Sequence, residues 1–220
     1  MRSRFLIVAF TLVGSWSSAD AALALEQEGE GASPQRAESE SGGQEERFIQ
    51  MEHYSFTVPD EGGWTIQKPG GPFEPVVLKM KLGPAGDPTR IQIQVFKNVI
   101  TKKRLVKKSG KENADNIFGL EQKIMHEQGV KMGLYKLHGP SKGEEEVAGK
   151  HFFFMDYETE TATDVQPSSL YLLFPLERDN TWFLMVHYTQ IVPKTTGLRE
   201  QAKTSLLEIL RTLEIKRDLP

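Results

Sequence analysis

The chain alternates between stretches of period two and stretches of period near 3.6, and that alternation lays out its elements. Tyr54, Phe56 and Val58 alternate with polar neighbours, which predicts a strand that leaves through Pro59-Asp60-Glu61-Gly62-Gly63. Trp64 and Ile66 predict a short second strand. Val76, Leu78, Met80 and Leu82 alternate with Lys79 and Lys81. Ile91, Ile93 and Val95 alternate with Gln92 and Gln94. Each is a strand with one wet face, and the turn-rich segment between them makes a hairpin. Residues 113–128 then switch to the helical period. Ile117, Leu120, Ile124 and Gln128 share a face, with Phe118 and Met125 beside it. Asn113 is the expected N-cap and Gly129 the expected C′ residue.

Four more strands are expected. The first rests on the alternation of Val130, Met132 and Leu134. The others are Val147 to Glu158, Ser169 to Leu176 and Trp182 to Gln190. These last three are apolar on both faces, so they belong in the middle of a sheet. A second amphipathic helix runs from Gly197 to Leu213 on a stripe of Leu198, Ala202, Leu206, Ile209, Leu210 and Leu213. Its polar face lacks the dense basic character of a membrane-surface helix. Strands grouped in runs, with few helices between them, imply an antiparallel sheet and an α+β class.

The two ends of the pattern set the compartment. Arg2 and Arg4 precede an apolar run from Phe5 to Val13, and small residues follow up to Ala24. That order is a signal peptide, here residues 1–24, with cleavage after Ala19, Ala21 or Ala24, the last two preferred. The run falls short of the about 20 residues that span a bilayer. Residues 25–47 read as an acidic, disordered linker: seven glutamates stand against two arginines between positions 26 and 47. Residues 48–220 are then a nearly neutral globular domain, within a chain of 220 residues and net charge −3. The expected location is periplasmic or extracellular. With no cysteine, disulfides, thiolate chemistry, iron–sulfur clusters and a lipoprotein anchor are excluded.

Three stretches resemble the PsbP-like superfamily (the PsbP, Mog and DcrB type of fold). Tyr54-Ser-Phe-Thr-Val-Pro-Asp-Glu-Gly-Gly-Trp64 is similar to the F-x-x-P-x-x-W start common in these proteins. Val147-Ala-Gly-Lys-His-Phe-Phe-Phe-Met-Asp-Tyr157 is similar to their entry to the middle sheet, a hydrophobic residue and a Gly before an aromatic strand. The third is the terminal helix ending in Leu210-Arg-Thr-Leu213 before a last strand-like Glu214-Ile215. The resemblance covers about residues 50–216 and marks the chain as similar to an exported bacterial relative. It implies an α/β/α sandwich with a central, mostly antiparallel sheet. It also implies a non-enzymatic accessory or binding role, with no catalytic residue carried over.

The search for chemistry adds little. Signatures of serine hydrolases, zinc proteases and nucleotide loops are absent from the sequence, and no cofactor is expected. The five histidines show no close metal-ligand spacing. His151 and His187 lie on expected central strands and could meet across the sheet. With Asp156 they form the candidate ligand or metal residues, and with Tyr157 the alternative of an exported enzyme with a sheet-surface site. Asp156, Glu158, Glu160 and Asp164 alternate as calcium ligands can, but they also fit the wet face of a strand running into a polar loop that ends at Pro167. Glu144-Glu145-Glu146 reads as a wet turn. One basic run stands out: Lys97, then Lys102, Lys103, Arg104, Lys107, Lys108 and Lys111, with no acid among them. The last six are the candidate partner-binding residues. Cations before a helix N-terminus oppose its dipole, so the run is either a solvated loop or a contact for an anionic partner. The expected partner is a protein or an anionic envelope component, with peripheral membrane contact allowed. Nucleic acid is excluded by compartment and by the lack of interleaved aromatics.

Overall fold

Ten strands and two helices follow one another along a computed structural model that describes residues 47–59, 63–70, 74–81, 90–99, 110–175, 182–194 and 203–216. The expected signal peptide, most of the linker and the first half of the second helical stripe, Leu198 and Ala202, lie outside these residues. Seven strands form the main sheet: β3 (Thr65–Gln67), β4 (Val76–Lys81), β5 (Arg90–Val99), β6 (Lys136–Val147), β7 (Lys150–Glu160), β8 (Asp164–Leu173) and β9 (Trp182–Pro193). Their order is β3-β4-β5-β9-β8-β7-β6, and every pairing is antiparallel. The expected hairpin of β4 and β5 is present, and β7, β8 and β9 are flanked on both sides. Three short strands make a second sheet: β1 (Phe48–Gln50), β2 (Tyr54–Thr57) and β10 (Glu214–Ile215), in the order β1-β2-β10.

A helix covers each face of the main sheet. Helix α2 (Lys203–Thr212) places Leu206, Ile209, Leu210 and Leu213 against β2 and the face bearing Leu78, Ile93, Val95, Leu184 and Val186. Helix α1 (Gly110–Met125) packs over β7 and buries Ala114, Phe118 and Met125 against Phe96, Phe153, Met155, Leu170, Leu172, Phe183 and Met185. This is the α/β/α sandwich of α+β class that the sequence implies, with the small sheet added beside α2.

Five expectations change. The alternation of Val130, Met132 and Leu134 is not a strand. Helix α1 continues as a π turn, His126–Val130, and closes in a Schellman cap. There Leu134 N–H donates to the Gly129 carbonyl at 3.0 Å and Gly133 N–H to that of Val130 at 3.1 Å. Gly133, at φ +71°, is therefore the C′ residue, not Gly129. The strand comes later, as β6, and takes in the glutamate run read as a turn. β6 is an edge strand, so it tolerates Pro140 at a bulge between His138 and Ser141 and carries charge freely. Asn113 is not a cap; it lies inside α1, fully buried. Finally, β8 begins at Asp164 and runs through Pro167, so the expected polar loop shrinks to a short turn.

The second motif of the resemblance gains a mechanical reading. Val147 pairs with Lys150 across a two-residue turn in which Ala148 has φ 52° and Gly149 φ 73°. Two positive φ values in succession match the twist of antiparallel strands.

Candidate functional site

The sequence-selected residues fall in three separate places. Lys102, Lys103, Arg104, Lys107 and Lys108 lie outside the described residues. Lys111 sits in the first turn of α1, where its Nζ reaches Glu144 Oε1 on β6 at 2.5 Å. His151 comes to the other oxygen of Glu144, Nε2 to Oε2 at 3.2 Å, with its ring edge-on to Phe153 at 4.8 Å. The Lys111 hydrogen bond holds the Glu144 carboxyl below its usual range. So Lys111 and His151 converge on a carboxylate, as a tie between α1 and the sheet edge. Lys97, which heads the basic run, places its Nζ 4.8 Å from the centre of the Trp182 ring.

His151 and His187 do not meet. Both side chains face α1, but His187 packs beside Tyr157, six residues along β7 from His151. At strand rise that is about 20 Å. Asp156 points to the other face of the sheet, where Ser169 Oγ donates to it at 2.5 Å. Glu160 and Asp164 among the alternate acids are similarly engaged. Glu160 accepts from Lys194 at 2.8 Å and bonds His138 at 2.9 Å, which pulls its carboxyl down to about 2. Asp164 accepts from Thr163 at 2.7 Å. Among the described residues no group of three or more His, Asp or Glu is placed to hold a metal ion. The physical reason for the scatter is strand parity. Asp156 is odd-numbered steps from His151 and Tyr157, so it faces away from both.

What the fold does bring together is a polar row at one end of the α1 face. Tyr157 on β7 pairs with Ser168 on β8, which pairs with Thr189 on β9. His187 stands on the same face of β9 as Thr189. Its Nε2 lies 2.9 Å from Tyr157 Oη and 3.2 Å from Thr189 Oγ1, and Ser168 Oγ reaches Thr189 Oγ1 at 3.3 Å. Burial lowers His187 to about 4 and raises Tyr157. At neutral pH the imidazole is therefore uncharged and the phenol keeps its proton. With Nε2 occupied by two hydroxyls of its own chain, His187 has no free base to offer a substrate. The row satisfies buried polar groups mutually, a structural arrangement.

Two residues missed from sequence border this row. Glu121, half-buried, lies on α1 in line with the buried Ala114, Phe118 and Met125. Burial pushes its carboxyl up to about 7, and its charge is felt at Tyr157. Tyr135 folds back under the end of α1, and its hydroxyl donates to the Met125 carbonyl at 3.0 Å. It stands beside the π turn, where Lys131 N–H donates to His126 O, five residues back. The Tyr135 ring lies so close to Gly129 that a Cβ there would come within 1.9 Å of it. The signal for Glu121 was present: it sits seven residues after Ala114 and four before Met125.

The stripe expected to be buried is instead the rim of the helix. Ile117 and Ile124 are half-buried, and Leu120 between them is 47% exposed. Met132 at 68% and Leu134 at 50% are exposed in the segment after the helix. Ile117, Leu120 and Ile124, at i, i+3 and i+7, form one flank.

No family profile matches the chain, and no curated protein does. Solved structures are similar at low identity. The cyanobacterial PsbP (CyanoP) of Synechocystis shares 13% identity over 74% of this chain and 86% of its own, with a TM-score of 0.46. LpqN of Mycobacterium tuberculosis, described as involved in cell envelope biogenesis, shares 9% over 74% and 83%, with a TM-score of 0.41. PA94 of Pseudomonas aeruginosa, of unknown function, shares 14% over 66% and 82%, with a TM-score of 0.33. Among the described residues no helix is long and apolar enough to cross a membrane. The chain's own strand order and its two helix-covered faces make an α/β/α sandwich around an antiparallel sheet.

Proposed function

We propose that this chain is an exported, non-enzymatic accessory protein that binds a protein component of the cell envelope through the apolar flank of α1. The observation that carries the reading is the exposed run of Leu120, Met132 and Leu134, continued by Ile117 and Ile124. Apolar side chains left exposed on a helix and on the segment that follows it favour a protein partner. The alternative of a sheet-surface enzyme loses support because His151, His187 and Asp156 are divided between two ends and two faces. The export half of the reading rests on the basic, apolar and small-residue order of residues 1–24.

Photo-crosslinking tests it. A photoreactive residue at Leu120 or Met132 of the domain, incubated with native envelope fraction, should give one defined adduct. The same residue at Lys79, on the opposite side of the chain's sheet order, should not. Replacing Leu120 and Met132 by Ser should weaken capture of that adduct's protein at least 10-fold, the share of affinity that two buried anchors carry. Equal crosslinking at Lys79, or capture unchanged by the Ser variants, would overturn the reading.

A further inference from the structure

We infer that α1 pairs with α1 of a second copy of this chain, antiparallel about a two-fold axis at Gly119. This goes beyond the proposed partner binding and uses another side of the helix. It starts from a residue with no use inside the domain. Gly119 sits in the middle of α1, exposed, and a Cβ built on it meets nothing within 4 Å. An exposed glycine inside a helix weakens it relative to alanine, because more backbone freedom is lost and no contact is added. No turn requires it, since α1 runs unbroken from Gly110 to Met125. The missing side chain leaves the backbone open to close approach from outside.

The charges around Gly119 say what approaches. Asp115 stands four residues before it and Lys123 four after. Glu112 stands seven before it and His126 seven after. At about 100° a residue, all four point within about 40° of the direction of Gly119. All four are exposed, so they form one outward ridge. Acids occupy its first half, and a lysine and an imidazole its second. That order is its own complement when reversed. In an antiparallel pair crossing at Gly119, Asp115 of each copy meets Lys123 of the other, and Glu112 meets His126. Two-fold symmetry makes each contact twice. A parallel pair would set acid against acid and lysine against lysine.

Among the described residues neither the Asp115 nor the Lys123 side chain makes a hydrogen bond or ion pair. Their neighbours one turn away are committed. Lys111 bonds Glu144, and Glu127 accepts from Lys131. Exposed ion pairs each add little, so the pair is weak; the charges set its direction and the glycine permits its closeness. Leu120 lies about 100° round from Gly119, and Ile117 and Ile124 farther, so pairing along the ridge leaves the apolar flank clear. Two copies then present two flanks, and a partner with two matching sites is held by avidity.

Sedimentation equilibrium of the purified protein tests this with no envelope partner present, so its outcome is independent of the crosslinking above. The chain should show a monomer–dimer equilibrium with Kd between about 10 μM and about 1 mM, the weak range of a small polar interface. Gly119→Leu should weaken the dimer at least about 10-fold and leave Tm equal or higher, since the monomer has room for the side chain and the helix gains propensity. Asp115→Lys and Lys123→Asp should each be monomeric alone, because like charges then meet. Mixed one to one, they should form a heterodimer, because every such contact is then lysine against aspartate. A chain monomeric at about 1 mM, a Gly119→Leu dimer as tight as the parent's, or no heterodimer from the mixed variants overturns the inference. A monomeric chain whose Gly119→Leu variant loses capture from envelope fraction would give the ridge to another protein, and also overturns it.

Discussion

Helices α1 and α2 cover the same sheet from opposite sides, and they are held in different ways. Leu206, Ile209 and Leu210 of α2, and Leu213 just after it, are all fully buried, in one continuous core with the second sheet. The matching stripe of α1 is interrupted by Glu121, stands over a polar row, and ends in a π turn. Burying four aliphatic side chains contributes roughly 6–12 kcal/mol of transfer free energy before entropy is counted. A stripe with an unpaired carboxyl gives up part of that. The comparison teaches that one face of the sheet stabilises the domain and the other can be spent on function. That is the usual division between rigid scaffold and adjustable site.

The comparison can be broken most directly on the α2 side. Leu210→Ala should cost about 3 kcal/mol in urea unfolding, because it opens a cavity among fully buried neighbours, whereas Leu120→Ala on α1 should change stability by less than about 0.5 kcal/mol. Equal effects would mean that α1 is held as firmly as α2. Next in size is Gly129→Ala. Helix propensity alone favours it by about 1 kcal/mol. The clash with Tyr135 should reverse the sign and destabilise by about 2 kcal/mol, and Tyr135→Ala in the same chain should recover part of the loss.

Acidification probes the polar row. His187 is lowered to about 4 in the fold and titrates near 6.5 when unfolded. Between these values the unfolded chain binds the proton and the native one does not. The contribution is therefore whole above pH 6.5 and falls as pH drops toward 4, by up to about 3 kcal/mol. His187→Gln should flatten that part of the stability–pH curve measured by denaturant unfolding. Glu121 acts in the opposite direction, since its raised value makes the native state less favoured as pH rises from the unfolded value toward 7. The smallest effect belongs to the β6–β7 turn. Ala148→Asn should stabilise by about 0.5–1 kcal/mol in thermal or urea unfolding, because Asn accepts φ near 52° more readily than Ala.

Much of the sheet was legible because period two is a local signal. The two wet-faced strands β4 and β5 and the doubly apolar β7, β8 and β9 all fell where alternation and its absence placed them. β6 was not legible. Gly, Pro and a run of Glu argue against a strand, and only its place at the sheet edge makes them acceptable. β10, Glu214–Ile215, is the short strand expected after the terminal helix, but its pairing with β2 at the other end of the chain has no local mark. On α1 the sequence holds two apolar flanks a fraction of a turn apart. Periodicity finds both and does not choose; the sheet chose Phe118 and Met125 and left Leu120 outside. The candidate residues failed for a related reason. Composition nominated His151, His187 and Asp156, but strand parity and distance along β7 decide who meets whom, and they joined His187 to Tyr157 alone among these.

From its sequence by itself the chain determines its α+β class, the runs that become central strands, the stripe of α2, and the absence of thiol chemistry. These follow from composition and from patterns a few residues long, where the physics is burial against solvent. The tertiary structure alone decided which flank of α1 is buried, that a carboxyl sits on it, and that Lys111 and His151 share Glu144. Those outcomes depend on strand order and register, which are set by contacts between residues far apart in the chain, and a local pattern carries no record of them.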